Sequence, residues 1–306
     1  MVKTIANNNN DGMSIRKALV YSGCSRNMYY YNNKQKKYHR NHITAATAAT
    51  AAPSSSSTMI EKEIQQISLQ RPTYGTRRMA AMLTRVLGRP VNRKRVQRIF
   101  RKMGYIIPSR RKKEIMRSKV PNIKADRPNQ VWEADLTYIH CGIDGWGYLF
   151  NMFDIFTREW VGYCFDLSAV KENAIISIEN ALVTHKDIIP QDLVIRTDNG
   201  SQYTSKAFRK SISVLGLKLE HIYYNTPEQN GHIESFHKTL KKEYIWSNDF
   251  QNYQEAESAI RNAFLDYNQN RIHSSLQYLT PYEFISKLKM KEAKEEKVIN
   301  IGNEQK

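Results

Sequence analysis

Val131-Trp132-Glu133-Ala134-Asp135-Leu136-Thr137-Tyr138-Ile139-His140-Cys141 alternates in the manner of a β-strand and carries an aspartate at its middle. A charge inside a strand of a central sheet is costly unless it is paired or holds a metal, so Asp135 is the first functional candidate. Residues 142–147, with Asp144-Gly145, read as a hairpin turn. Residues 148–156 and 160–167 then read as two further strands, rich in aromatic and β-branched side chains. Beyond them the pattern predicts a helix over 173–185, a short buried strand over 193–197 and a helix over 206–215. A strand over 218–223 and a helix over 233–244 complete the series. An antiparallel meander followed by alternating strands and helices implies an α/β layered fold, five strands flanked by helices.

Upstream the reading is helical. Apolar residues at 60, 64 and 67 share one helix face, and Met79, Met82, Leu83 and Val86 repeat the pattern over 76–87. Gly88-Arg89-Pro90 stops that helix. A third, over 92–103, groups Val96, Ile99 and Phe100 on one face and sets Arg93, Lys94, Arg95 and Arg98 mostly elsewhere. Helix, turn and arginine-bearing helix is what a helix-turn-helix requires; a solvated basic helix that enters no groove is the alternative. The expected organisation is an N-terminal helical segment with a disordered start over 1–43 and an Ala/Thr/Ser linker over 44–58. A basic helix-turn-helix-like unit over 59–120, a catalytic domain over 126–290 and a charged tail over 291–306 follow. A weak helix over the Ala-Thr half of the linker is the competing reading.

Charge supports this division. The chain of 306 residues carries a formal charge of +18, and residues 71–120 hold seventeen Lys and Arg against one acid, Glu114. The basicity is therefore local, as in a DNA-contacting module joined to a nearly neutral one. Three separated cysteines (Cys24, Cys141, Cys164) offer neither a disulfide framework nor a cysteine-rich zinc site. No apolar run of about 18 residues argues for membrane insertion, so the expectation is a soluble intracellular protein.

Two more acids sit where such a sheet delivers chemistry. Asp198 follows Leu193-Val194-Ile195, at the carboxyl end of a strand, and Glu234 opens the helix after Asn230-Gly231. Three converging carboxylates can hold one or two hard cations. Glu133, two residues from Asp135 on the same strand face, is read as a solvated edge charge, with a supporting acid as the alternative. Glu228 is read as a solvated loop acid. His221, His232, His237 and His273 have no cysteine at finger spacing, and no zinc is expected. Tyr203, Phe150, Phe153, Phe156 and Tyr163 are core candidates first and base-stacking surfaces second.

Several segments together carry a family resemblance. Asp198-Asn199-Gly200-Ser201-Gln202-Tyr203-Thr204-Ser205, the strand around Asp135, and Asn230-Gly231-His232-Ile233-Glu234-Ser235-Phe236-His237-Lys238-Thr239-Leu240 resemble the catalytic motifs of insertion-sequence transposases with a retroviral-integrase-like core. The 35 residues between Asp198 and Glu234 match their spacing. Tyr267-Asn268-Gln269-Asn270-Arg271-Ile272-His273 and Thr280-Pro281 resemble their C-terminal signature. Tyr74-Gly75-Thr76-Arg77-Arg78 and Val91-Asn92-Arg93-Lys94-Arg95-Val96 match the basic helical unit of the OrfB-type transposases of insertion sequence family three. Gln229-Asn230-Gly231 departs from the aspartate-asparagine-alanine of many relatives.

The resemblance implies an RNase H-like core with Asp135, Asp198 and Glu234 as a catalytic triad holding Mg²⁺ or Mn²⁺, two ions. It implies DNA contact by Arg77, Arg78, Arg93, Lys94, Arg95, Arg98, Asn199 and Lys241. The implied partners are double-stranded transposon ends and target DNA, further copies of the chain, and an upstream-frame DNA-binding protein, separate or fused. Metal-dependent cleavage and 3′-hydroxyl strand transfer in a prokaryotic nucleoid is the implied activity. An RNase H-type nuclease that does not join strands, and an inactive transposase-derived DNA binder, are the rival readings.

Overall fold

A computed structural model describes residues 55–106, 124–185, 192–223 and 227–304. The expectations for residues 1–54 and 107–120, and for the Glu228 side chain, lie outside the described residues. The chain divides into two compact units: Met1–Gln66 with Leu83–Arg111, and Ile67–Met82 with Lys112–Lys306.

Three helices, α1 (Ser55–Gln70), α2 (Thr76–Leu87) and α3 (Arg93–Lys102), lie where apolar periodicity places them. In the first unit Ile60, Ile64, Leu83, Val96, Ile99 and Phe100 are buried. Asn92 caps α3, its Oδ1 accepting the Lys94 N–H at 2.8 Å. Capping and the buried apolar stripe together leave Arg93, Lys94 and Arg98 exposed and Arg95 half-buried.

The second unit is built on a mixed five-stranded sheet in the order β3-β2-β1-β4-β5. Its strands are β1 (Val131–His140), β2 (Trp146–Asp154), β3 (Trp160–Asp166), β4 (Val194–Thr197) and β5 (Lys218–His221). β1 pairs antiparallel with β2 and parallel with β4, placing it at the centre. The first hairpin turns through Gly142–Asp144 and Gly145, whose φ of +79° only glycine adopts without strain.

Alternation along β1 divides two cores. Trp132 and Ala134 face α4 (Lys171–His185), the short α5 (Ser201–Thr204) and α6 (Lys206–Val214), in a cluster with Phe150, Ile178, Tyr203 and Phe208. α4 lies so close to β3 that a Cβ on Gly162 would fall 2.6 Å from the Ala181 Cβ. On the other face Ile139, Leu149 and Phe153 pack with Phe236, Leu240, Ile260 and Tyr267. These last come from α7 (Gly231–Leu240) and α8 (Tyr253–Gln269). The expected helix over 233–244 therefore begins earlier and ends in a π-helical turn, Lys241–Ile245. α8 and α9 (Pro281–Glu304) lie beyond the predicted elements. None of the described helices is long and apolar enough to cross a membrane.

Phe150, Phe153 and Tyr203 are buried, as the strand pattern requires of core residues, while Phe156 and Tyr163 are half-buried. Glu133 corrects the sequence reading. It is fully buried rather than a solvated edge charge, because β1 is the central strand with β2 and β4 on either side.

Candidate active site

Each of the three candidate acids is delivered by a different element. Asp135 lies in the middle of β1, opposite Asn151 of β2. Asp198 follows the last residue of β4, whose pairing with β1 ends at Ala134 and Thr197. Parallel register thus brings the two aspartates to neighbouring positions on one sheet end. Glu234 stands in the first turn of α7, which packs on β1.

Electrostatics ties the three together. Burial and the negative charge of Asp198 push the Asp135 carboxyl up to about 7, with Glu234 adding to the rise. The Leu136 N–H, donated to its Oδ1 at 2.8 Å, and Lys241 act the other way. Asp198 Oδ1 accepts the Gly200 N–H at 3.0 Å. Glu234 reaches Lys238 Nζ at 3.5 Å, one turn along α7. Among the described residues no three His, Cys, Asp or Glu side chains are drawn tightly enough together to form a finished ion cage.

The neighbours hold this arrangement in place. Glu133 Oε2 accepts the Ile233 N–H at 2.7 Å, fixing the first turn of α7 one residue before Glu234. Burial raises the Glu133 carboxyl to about 7 against that hydrogen bond and the charges of Arg196 and Arg158. His237, one turn beyond Glu234, places Nδ1 3.4 Å from Asp135 Oδ2 and Nε2 2.9 Å from Asn151 Nδ2. Burial and Lys241 lower His237 to about 3, so its ring is neutral. With Nε2 accepting from Asn151, the ring proton sits on Nδ1 and points at Asp135. Sequence reasoning weighed His237 only as a zinc ligand; its i+3 spacing from Glu234 was the available signal.

Several polar atoms near the acids are buried without a hydrogen-bond partner: Asn151 Oδ1, the Tyr203 hydroxyl and His221 Nε2. Burial raises the Tyr203 phenol well above its ordinary value, and Asp135 and Asp198 add to the rise. The donor set is therefore all-oxygen, rich in negative charge and bordered by unsatisfied groups, which fits a hydrated hard cation.

The remaining candidates separate. Lys241 lies with its Nζ 4.9 Å from the Tyr138 ring centroid and interacts with Asp135, on the acids' side of α7. Asn199 donates to the Ile222 carbonyl at 2.9 Å, orienting the loop after β4. Gln202 ties the same loop to the Ala169 carbonyl at 3.1 Å. Arg77 is exposed. Arg78 is turned inward, 3.4 Å from Glu243 and over the Tyr74 ring. The four histidines fall in separate networks: His221 with Thr197, His232 with Arg158, His237 with Asp135 and His273 with Arg271.

Comparison with known families agrees with this fold. Residues 125–227 and 215–281 match two models described as "Integrase core domain", and residues 58–113 match an "HTH-like domain". The catalytic unit thus defines a polynucleotidyl transferase of the integrase class. The transposase of insertion sequence element IS904 from Lactococcus lactis is 33% identical over 67% of this chain and 86% of its own length. A 31 kDa protein of insertion element IS600 from Shigella sonnei is 32% identical over 71% and 83%. The chain belongs to the DNA transposases of insertion sequences, in the OrfB-type group of insertion sequence family three. Among solved structures it resembles the HTLV-2 integrase catalytic core, with 20% identity, a TM-score of 0.42, and coverage of 53% of this chain and 99% of that one.

Proposed function

We propose that Asp135, Asp198 and Glu234 are the catalytic residues and hold divalent magnesium or manganese, two ions, during cleavage and 3′-hydroxyl strand transfer at insertion-sequence ends. The observation that carries this reading is the Asp135 carboxylate, half-buried and repelled by Asp198 and Glu234, with no arginine paired to it among the described residues. When bound, the ions held by these three acids would supply activation of the attacking oxygen and stabilisation of the leaving oxygen at phosphorus. Asp135 is held for this role by its hydrogen bond from Leu136 and by His237 Nδ1. Glu133 fixes the turn that presents Glu234. Lys241 contacts a phosphate of the bound DNA end. Arg77, Arg93, Lys94, Arg95 and Arg98 hold the DNA backbone, which makes binding salt-dependent. Arg78 and Asn199 act on DNA indirectly, by fixing the segments that carry these contacts.

The substrate is double-stranded DNA in a prokaryotic nucleoid, its ends brought together by more than one copy of the chain. An upstream-frame DNA-binding protein, separate or fused, is the further partner. The helical unit spans 59–120 and the catalytic domain 126–290. The test incubates the chain, alone and with the upstream frame, with Mg²⁺ or Mn²⁺ and labelled duplex bearing a free 3′-hydroxyl transposon end. Joined strands that disappear in Glu234→Gln support the reading. Nicks without joining indicate a nuclease, and DNA binding without either product indicates an inactive binder; each overturns it.

A further inference from the structure

α7 has a second polar face. Glu234 and Lys241 mark the side turned to the acids, whereas His232, Ser235 and Thr239 lie on the opposite stripe at helical spacing. That stripe borders a cavity of about 230 Å³, far above the ~10–15 Å³ that one water needs. Three arginines reach it: Arg78 from α2, Arg158 from the β2–β3 turn and Arg271 from the segment after α8. Ser274 and Ser275 add hydroxyls at an exposed rim.

Among the described residues no carboxylate lines the cavity, and one acid outside the lining, Glu243, serves two of its three arginines. Arg271 spends Nε and Nη2 on Glu243, at 2.8 and 3.0 Å, and Arg78 shares that same acid at 3.4 Å. Arg158 has no carboxylate within ion-pairing distance among the described residues; its Nη1 lies 2.6 Å from His232 Nδ1. Glu133 and Asp154 act on it only at longer range. Burial, with Arg271, Arg78 and Arg158 close by, depresses His273 well below its ordinary value. Arg158 adopts a left-handed φ of +60°, uncommon for a side chain of this size, in a turn tied down by Asp154. Guanidinium forks and hydroxyl donors, with Arg158 lacking a carboxylate partner among the described residues, are the chemistry that recognises a tetrahedral oxyanion.

We infer that this cavity is a phosphate-binding site, separate from the acids and behind the helix that carries Glu234. Its phosphate is either a backbone phosphodiester of bound DNA or a free phosphate ion. The inference does not depend on the acids transferring strands, because anion binding is read without divalent metal.

The test titrates inorganic phosphate into the full-length, metal-free chain at constant ionic strength and follows ³¹P line broadening and the melting temperature. Arg158→Gln and Ser274→Ala/Ser275→Ala are compared with wild type, and Lys210→Gln, on the exposed face of α6, controls for general basicity. Saturable binding weakened about ten-fold by Arg158→Gln, and unaffected by Lys210→Gln, is expected. The serine pair, at the exposed rim, gives a second reading should Arg158→Gln disturb the turn. Binding unchanged in both cavity variants, or weakened equally by Lys210→Gln, overturns the site. A second titration, with short duplex DNA, separates the sources. Loss of about one unit of salt slope in Arg158→Gln assigns the phosphate to DNA; an unchanged slope with lost phosphate binding assigns it to the free ion.

Discussion

Two groups of half-buried acids lie in the same structural unit and are treated in opposite ways. Around the π-helical turn, Glu243 receives two hydrogen bonds from the fully buried Arg271 and a third contact from Arg78. Nearby, Asp266 is held by Arg71 and by the Tyr244 hydroxyl. These pairings keep both carboxyls below their ordinary values despite burial. Asp135 has a neutral imidazole and one backbone N–H, and burial and its fellow acids drive it upward. An acid with arginines around it fastens elements together. An acid left among other acids carries a cost that the proposed cation would relieve.

The largest effect that tests this contrast is chemical. Asp135→Asn should lower strand joining by about 10³-fold or more, the several kcal/mol that metal activation supplies. In metal-free protein at pH 8 the same change should leave unfolding stability level or higher, since it removes an uncompensated charge. A marked loss of stability in urea would place Asp135 among the structural acids instead.

Glu243→Ala should do the reverse. It strands the buried Arg271 and should cost about 3–5 kcal/mol in urea unfolding. A cost near zero would erase the contrast.

The pH dependence follows from the sign of the Asp135 shift. Its folded value lies above its ordinary 3.8, at about 7, so its contribution to stability is complete below about pH 4 and is lost as pH rises through 7. Glu133, raised from 4.5 to about 7, adds in the same direction. Melting temperature without metal should therefore fall between pH 4 and 7. Added Mg²⁺ should raise it more at pH 8 than at pH 6, because ions compete with protons at Asp135. An equal Mg²⁺ effect at both values would detach the metal from this group.

The smallest expected change is Glu133→Gln. The amide oxygen still accepts the Ile233 N–H, and a neutral group suits the burial, so stability near pH 7 should move by about 1 kcal/mol or less. Glu133→Ala, which leaves that N–H unpaired, should cost about 1–3 kcal/mol. Equal costs would mean that the hydrogen bond does not hold the turn.

What the sequence reveals, and what it hides, follows the same physics. Alternation and helical spacing expose the strands and α3, because burial of one face writes a period into the chain. Asp135, Asp198 and Glu234 are legible from a charge inside a strand, a strand end, a helix start and motif resemblance. Strand order is not periodic, so nothing in Trp132-Glu133-Ala134 announces that β1 has neighbours on both sides; Glu133 therefore reads as an edge charge. Arg78 reads as basic surface beside Arg77, since its partner Glu243 is 165 residues away. His237 and Arg158 draw their roles from groups that only tertiary folding brings near. α8 lies after the last element read from periodicity, although its buried Ala256, Ile260, Ala263 and Tyr267 recur at three- and four-residue steps.

The strand order also bears on when the site can exist. β1, β2 and β3 form a local meander, whose contacts close over short loops and can form early. β4 reaches β1 only through a parallel crossover that includes α4, and α7 docks from still further along the chain. Asp135 thus belongs to the local meander, while Asp198 and Glu234 depend on contacts of greater sequence separation. The proposed triad therefore requires both the crossover and the docked α7, which ties the capacity to cut DNA to a complete fold.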